Sequence, residues 1–354
     1  MKATRAAGLA LVTTLLFFAG AEGLARLVYG APRPMMGVER QDAYLHVDGD
    51  GVIVNHHLKD EAPVRVPRAV DHPRAVFVGG SSVHQGVPPR PQEWPAVVGE
   101  LLRAETVNLG SPGLDSNDLV RVVREAEALT HKVMVVYVGH NDFANAFMRA
   151  RFAGGGSRAL SRLRVALMGL RLFTLLDDRF ASRGAGRRQE EAGVPILSAG
   201  EKAEILSGLE ENLRTIVETC ADRGVNVVLV SPASSVLHPP AEQVCAPERC
   251  LNDEFRAAQG LVRRDPKAAA EAFRAVRDRD WSSIRAPSEV VEVYRRVAQE
   301  TGARLVEAEA GLPRADGVNL PAERLFLDQL HYSVEGHRAL AELVAPTIAE
   351  ALRG

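Results

Sequence analysis

Aromatic side chains are scarce in this chain, 5% of its 354 residues, so an open stacking platform for sugars or bases is not advertised. Cysteine is scarcer still. The three present form no CxxC pair and no Cys/His cluster at zinc spacing. An excess of basic charge is also missing: the formal net charge is -2, which gives no reason to expect nucleic acid as a partner. The acidic run Asp48-Gly49-Asp50-Gly51 lacks the later glutamate that completes a calcium loop, and reads as a turn. His56 and His57 are adjacent, so on an extended segment they point to opposite faces and do not share a metal. Neither a metal nor a cofactor is expected. What remains, 46% hydrophobic and 25% charged residues, is ordinary globular composition in a chain long enough for one large domain with insertions.

The amino terminus departs from that average. Lys2 and Arg5 open the chain, an apolar run from Ala6 to Ala21 follows, and Glu22 and Arg26 interrupt it. A basic start ahead of an apolar segment is an export signal, which places the rest outside the cytoplasm, in the periplasm or at the cell surface. Two fates fit the residues. Cleavage after the small-x-small run Ala19-Gly20-Ala21 releases a secreted protein. Retention of residues 6–29 as a signal anchor in the inner membrane is the preferred reading. Leu24, Leu27, Val28 and Tyr29 continue the apolar character toward the roughly 20 residues that span a bilayer.

Past this segment (residues 1–30) the expected organisation is a linker with a small hairpin over 31–73 and one domain over 74–354. The hairpin pairs Tyr44–Val47 with Val52–Val54 across the acidic turn. From Arg74 onward strands alternate with helices. Strands are expected at Ala75–Val78, Thr106–Leu109, Lys132–Val138, Val225–Val230 and Arg304–Val306. Helices are expected at Trp94–Ala104, Leu119–Leu129, Ile205–Ala221 and Gly336–Leu352. Such alternation implies parallel βαβ units, an α/β fold with a helix-flanked sheet of about five strands.

Two stretches exceed this minimal unit and read as helical insertions over the carboxyl ends of the strands. The first, 149–198, holds a basic helix at Leu160–Leu176, whose arginines read as a solvated face in preference to a lipid contact. The second, 236–301, holds helical segments at Pro266–Asp278 and Val290–Gln299. Outside the cytoplasm Cys245 and Cys250 can close a small disulfide, while Cys220 reads as a buried apolar residue.

Chemistry concentrates where strands end, the side on which open α/β sheets bind ligands. The first strand breaks into Gly79-Gly80-Ser81-Ser82. The second runs into Asn108-Leu109-Gly110-Ser111-Pro112-Gly113, and the third into Gly139-His140-Asn141-Asp142. Far downstream, Asp328-Gln329-Leu330-His331 sets a carboxylate three residues from an imidazole, close enough to fix the ring's tautomer. Plainer readings stand beside these. Gly113 fits a Pro-Gly turn, Asn141-Asp142 a helix cap, His84 a helix face, and His337 a surface or core place in the closing helix.

These blocks, in this order, resemble those of the SGNH hydrolases, also called the GDSL-type esterase/lipase family, and most nearly its membrane-anchored bacterial members. The likeness runs from about Arg74 to the carboxyl terminus, less the insertions. It implies an SGNH-like three-layer α/β/α core, with Ser81 rather than Ser82 as nucleophile, His331 as general base and later acid, and Asp328 as the orienting acid. The oxyanion hole would comprise the Ser81 amide, the Gly113 amide and the Asn141 side chain. The implied activity is an extracytoplasmic serine esterase acting on carboxylic esters, O-acetyl groups included, of envelope glycans or lipids. Acyl transfer to a glycan hydroxyl and a catalytically silent envelope binding protein are the alternatives. Three positions depart from the family pattern. Gly80 stands where aspartate is common, His140 where glycine is frequent, and Tyr332-Ser333 where proline is common, which leaves pocket shape and substrate open.

Overall fold

A computed structural model describes residues 2–29, 43–56, 61–153, 167, 170–181, 197–240, 251–280, 284–315 and 317–354. In chain order its strands are β1 (Leu45–Asp48), β2 (Gly51–Val54), β3 (Val64–Pro67), β4 (Arg74–Gly79), β5 (Glu105–Asn108), β6 (Val133–Tyr137), β7 (Asn226–Ser231) and β8 (Arg304–Glu307). The helices are α1 (Lys2–Tyr29), α2 (Trp94–Leu102), α3 (Ser116–Glu125), α4 (His140–Ala153), α5 (Arg171–Ala181), α6 (Ala199–Ala221), α7 (Leu251–Leu261), α8 (Pro266–Arg279), α9 (Ser288–Thr301), the short α10 (Ala308–Gly311) and α11 (Val334–Arg353). They group into two units, residues 1–38 with 148–195 and residues 39–147 with 196–354.

In the first unit α1 carries the amino-terminal apolar run. Its window Val12–Tyr29, 18 residues of mean hydropathy 1.3, is long and apolar enough to cross a membrane. Leu16, Phe17, Phe18, Leu24 and Leu27 are exposed along it. Glu22 interrupts the run with a local purpose. Its carboxylate accepts the Arg171 and Leu172 amides at 2.9 and 2.8 Å, satisfying donors at the start of α5 that the helix itself cannot. Arg26, one turn on, pairs with the same carboxylate at 2.6 Å. Most of the helix expected over Leu160–Leu176 lies outside the described residues, and the described helix runs from Arg171 to Ala181. Cys245 and Cys250 lie outside them too.

The second unit is built on a parallel sheet of order β5-β4-β6-β7-β8. Every residue of β4 and β6 is buried, which explains why both read as unbroken apolar runs and not as alternating ones. One face of the sheet packs against α3, α6 and α9 and the other against α2 and α11. Five parallel strands between two helical layers make the expected three-layer α/β/α fold. In α11, Leu340, Val344 and Ile348 are fully buried, each stabilising the unit by about 1.5–3 kcal/mol. Cys220 is free and buried in α6.

Several boundaries differ from the sequence reading. The second helix of the domain starts at Ser116, not Leu119, because Asp115 and Asp118 form a capping box around its first turn. The hairpin pairs Leu45 with Val54 and Asp48 with Gly51, and β3, a four-residue strand not among those expected, adds a third antiparallel strand. The helix expected at Val290–Gln299 is no insertion over strand ends. In α9, Val290, Val293, Tyr294 and Val297 are buried in the same cluster as the sheet residues Val227 and Leu229, so it is the crossover from β7 to β8. The remainder of that stretch, α7 and α8, closes a separate apolar cluster with Val236, Val318 and Leu320.

Candidate active site

β4 ends at Gly79, and the chain turns at once: the amides of Val83 and His84 both donate to the Gly80 carbonyl, at 3.0 and 3.2 Å. This turn presents the Ser81 hydroxyl 2.8 Å from Nε2 of His331. Nδ1 of His331 lies 2.6 Å from Oδ2 of Asp328. A carboxylate only accepts, so Nδ1 carries the proton and Nε2 offers its lone pair to the serine. Oδ1 of Asp328 accepts the Leu330 and His331 amides, each at 2.9 Å. Burial works against the Asp328 charge, but the His331 ring and then these two amides hold its carboxyl down at about 2.

The two neighbouring serines are separated by their partners. Ser82 is buried and turns away, donating to the Leu330 carbonyl at 3.2 Å. It thereby fastens the Asp328–His331 loop to the turn that carries Ser81. From the other side the Ser235 amide, in the loop after β7, donates to the Gln329 carbonyl at 2.9 Å. Leu327 closes the loop on itself through the His331 carbonyl at 2.7 Å.

The glycine loop after β5 is equally tied down. The Ser111 amide donates to the Gly79 carbonyl at 3.0 Å, joining this loop to the end of β4. Gly113 has φ 82, a left-handed conformation that favours glycine. Asn141, in the first turn of α4, donates from Nδ2 to the Leu114 carbonyl at 2.8 Å, which leaves a second N–H on the same nitrogen. Asn145, one turn on, donates to the Gly113 carbonyl and to Asp115, both at 2.9 Å. Among the described residues, neither the Ser81 nor the Gly113 amide donates to a backbone carbonyl. The close fit extends to Gly80, where an added Cβ would sit 2.4 Å from Nδ2 of Asn141.

Three further residues, Asp142, His140 and His84, take places that the sequence did not indicate, while His337 takes the core place in the closing helix that the sequence allowed it. Asp142 does not cap its own helix: α4 begins at His140, and Oδ1 of Asp142 accepts the Ser116 hydroxyl at 2.5 Å at the start of α3. Burial, and then the charge of Asp115, push its carboxyl up to about 7. His140 is a buried strut. Its Nδ1 accepts the Ala286 amide at 2.9 Å, so Nε2 donates to the Ala233 carbonyl at 3.1 Å. Burial pushes it down to about 3, which keeps the ring neutral and makes it a brace, not a proton donor. His84 is not on a helix face but buried in the Ser81 turn against Glu93 and Glu61. His337 is buried in α11, where Nδ1 accepts the Trp94 amide at 3.1 Å. Asn145, Asp142 and Glu93 left no sequence signal, because each acts through a contact distant in the chain.

Among the described residues no three His, Cys, Asp or Glu side chains group as metal ligands. The model of the GDSL-like lipase/acylhydrolase family matches residues 77–339. A search of the curated proteins finds no match. Solved structures similar to the chain include a GDSL-like lipase from Bacteroides thetaiotaomicron VPI-5482, at 13% identity, covering 78% of this chain and 88% of that one with TM-score 0.42. Another is an acetylxylan esterase from Geobacillus stearothermophilus, at 16% identity, covering 79% and 94% with TM-score 0.40. A carbohydrate acetylesterase family member from Sinorhizobium meliloti is 12% identical, covering 80% and 100% with TM-score 0.41. With most of its length matched from β4 into α11, the chain belongs to the GDSL-like lipase/acylhydrolase family and is an ester-bond hydrolase.

Proposed function

We propose that this hydrolase is an extracytoplasmic serine esterase with Ser81 as nucleophile, His331 as general base and acid, and Asp328 as the group that orients His331. The observation that carries the proposal is the unbroken hydrogen-bonded run Ser81–His331–Asp328, at 2.8 and 2.6 Å. A serine hydroxyl is a weak nucleophile until a base takes its proton. Here Oγ bonds to the ester carbon as its proton passes to Nε2, and the carbonyl electron pair moves onto oxygen. The Ser81 and Gly113 amides and the second N–H of Asn141 receive that oxyanion, each donor lowering the barrier by about 3 kcal/mol. Collapse expels the alcohol, which takes the proton from His331. Water then attacks the acyl carbon by the same route, losing its proton to His331, and the acid leaves as Ser81 recovers its hydrogen.

The substrates in this reading are carboxylic esters of envelope glycans or lipids, O-acetyl groups among them. The apolar window Val12–Tyr29 supports a place at the outer face of the inner membrane. The full chain should hydrolyse short-chain p-nitrophenyl esters and react with a fluorophosphonate probe. Ser81→Ala should lower turnover by about 10⁴-fold or more and abolish labelling. Undiminished turnover or labelling in that variant would overturn the assignment.

A further inference from the structure

The proposed reaction uses one histidine, and a second lies in the turn that carries Ser81. His84 follows Ser81 by three residues and is buried. Its Nδ1 is 2.8 and 2.9 Å from the two carboxylate oxygens of Glu93, and its Nε2 is 2.7 Å from Oε2 of Glu61. Carboxylates have no proton to give, so both ring nitrogens must carry one and His84 is an imidazolium. The other oxygen of Glu61 takes Nε of Arg90. Two cations therefore face two carboxylates. Among the described residues the remaining titratable neighbour is His56, whose ring lies 4.2 Å from that of His84. Burial pushes His56 down to about 4, so it stays uncharged and does not compete for the carboxylates.

This cluster reaches both loops of the site. Oε2 of Glu93, at the N-cap of α2, also accepts Nδ2 of Asn108 at 3.2 Å. The same Nδ2 donates to the Val83 carbonyl in the Ser81 turn at 3.1 Å, while Oδ1 of Asn108 accepts the Gly110 amide at 2.8 Å. From the other side Nδ1 of His56 donates to the Gly110 carbonyl at 2.6 Å, and the Ser111 hydroxyl donates to the His56 carbonyl at 2.5 Å. Glu93 is only 2% exposed, so its charge has little solvent to fall back on once His84 is neutral.

We propose that His84, held as an imidazolium between Glu93 and Glu61, is a positioning residue that keeps the Ser81 turn in register with the Gly110–Gly113 loop. Its catalytic consequence rests on the reading of Ser81 as nucleophile, whereas the ionic cluster itself does not. The pH dependence follows from its partners. Burial opposes the His84 charge, but the hydrogen bond and charge of Glu93, and then those of Glu61, outweigh it and raise the ring above the ordinary histidine value. The cation is therefore complete at low pH and is lost as pH rises through that raised value. Positioning fails on the alkaline side.

The test measures kcat and KM of the full chain for a short-chain ester by pH-stat across the neutral and alkaline range. The wild-type protein should show a descending alkaline limb in kcat with KM flat. His84→Gln, which cannot carry the charge, should lower kcat by about tenfold at neutral pH with KM within about twofold, and should lack that limb. Glu93→Gln, which weakens the partner but keeps its shape, should move the limb to lower pH. A wild-type kcat in His84→Gln, or a limb that survives there unchanged, would overturn the proposal. A second measurement does not depend on turnover or on that variant folding. In Ser81→Ala protein the NMR signal of the His84 ring should remain that of the imidazolium to a pH above the ordinary histidine range. A ring that titrates within or below that range overturns the proposal, whether or not the protein proves to be an esterase. A wild-type chain that turns over no ester defeats the esterase reading alone.

Discussion

At the scale of single residues, Gly80 and Asn141 are closely fitted to one another. The resemblance to the family raised the question of what is lost where aspartate gives way to glycine in the nucleophile block. Asn141 answers it: its amide nitrogen, fixed by the Leu114 carbonyl at 2.8 Å, occupies the space any side chain at Gly80 would enter. Gly80→Ala should therefore push that nitrogen off the position proposed for an oxyanion donor. A fall in kcat of about 10–100-fold is expected, with KM little changed and an unaltered circular dichroism spectrum. Equal kcat in the two proteins would remove Asn141 from the set of donors. The proposed choice of Ser81 over Ser82 is supported on the same scale, since the two hydroxyls have different partners, the His331 ring and the Leu330 carbonyl.

At the scale of elements, α4 is the clamp of the site. Its first two turns supply Asn141, Asp142 and Asn145, which hold Leu114, Ser116 and Gly113 respectively. Asp142 gives this clamp a pH signature. Its carboxyl sits at about 7, raised by burial and then by Asp115, against a usual 3.8. The folded state thus binds this proton more tightly than the unfolded chain does. The associated stability is complete below the usual carboxylate value and falls away as pH rises toward about 7. Asp142→Asn keeps an oxygen for the Ser116 hydroxyl but cannot ionise. Thermal unfolding should show the wild-type Tm declining relative to the variant between these two pH values, and a constant difference would refute the account.

Elements also show where sequence reading succeeds and where it stops. Strands β4, β6 and β7 were legible because both their faces are buried, which leaves continuous Val-rich runs bounded by glycine or serine. The loops that hold Ser81, Gly113 and Asn141 were legible because they follow the ends of β4, β5 and β6. The role of α9 was not, since an amphipathic helix looks the same whether it covers a sheet or an insertion. The burial of Val290, Val293, Val297 and Tyr294, whose hydroxyl donates to the Val138 carbonyl at 2.8 Å, decides it. His84 was misread for a related reason. Its partners Glu61 and Glu93 lie 23 and 9 residues away, and no local pattern marks such a meeting.

At the scale of the whole molecule, the apolar helix α1 predicts where the protein resides. Expressed in full, the chain should sediment with membranes and resist alkaline extraction. Replacing Leu16 and Phe17 together with arginine should release it to the soluble fraction, each arginine costing about 2.5–3.5 kcal/mol near the centre of a span. A wild-type protein that is soluble, or a double variant that stays membrane-bound, would count against the anchor. A wider consequence follows from one bond of the site. Ser81 and His331 meet at 2.8 Å across 250 residues of chain, joining the first strand of the main sheet to the loop before its last helix. A chain made from its amino terminus holds the proposed nucleophile long before it holds the proposed base. Until residue 331 has been synthesised and α11 has docked, Ser81 lacks its histidine partner. In the proposed reading, the order of synthesis itself delays the chemistry until His331 has been made and seated beside Ser81.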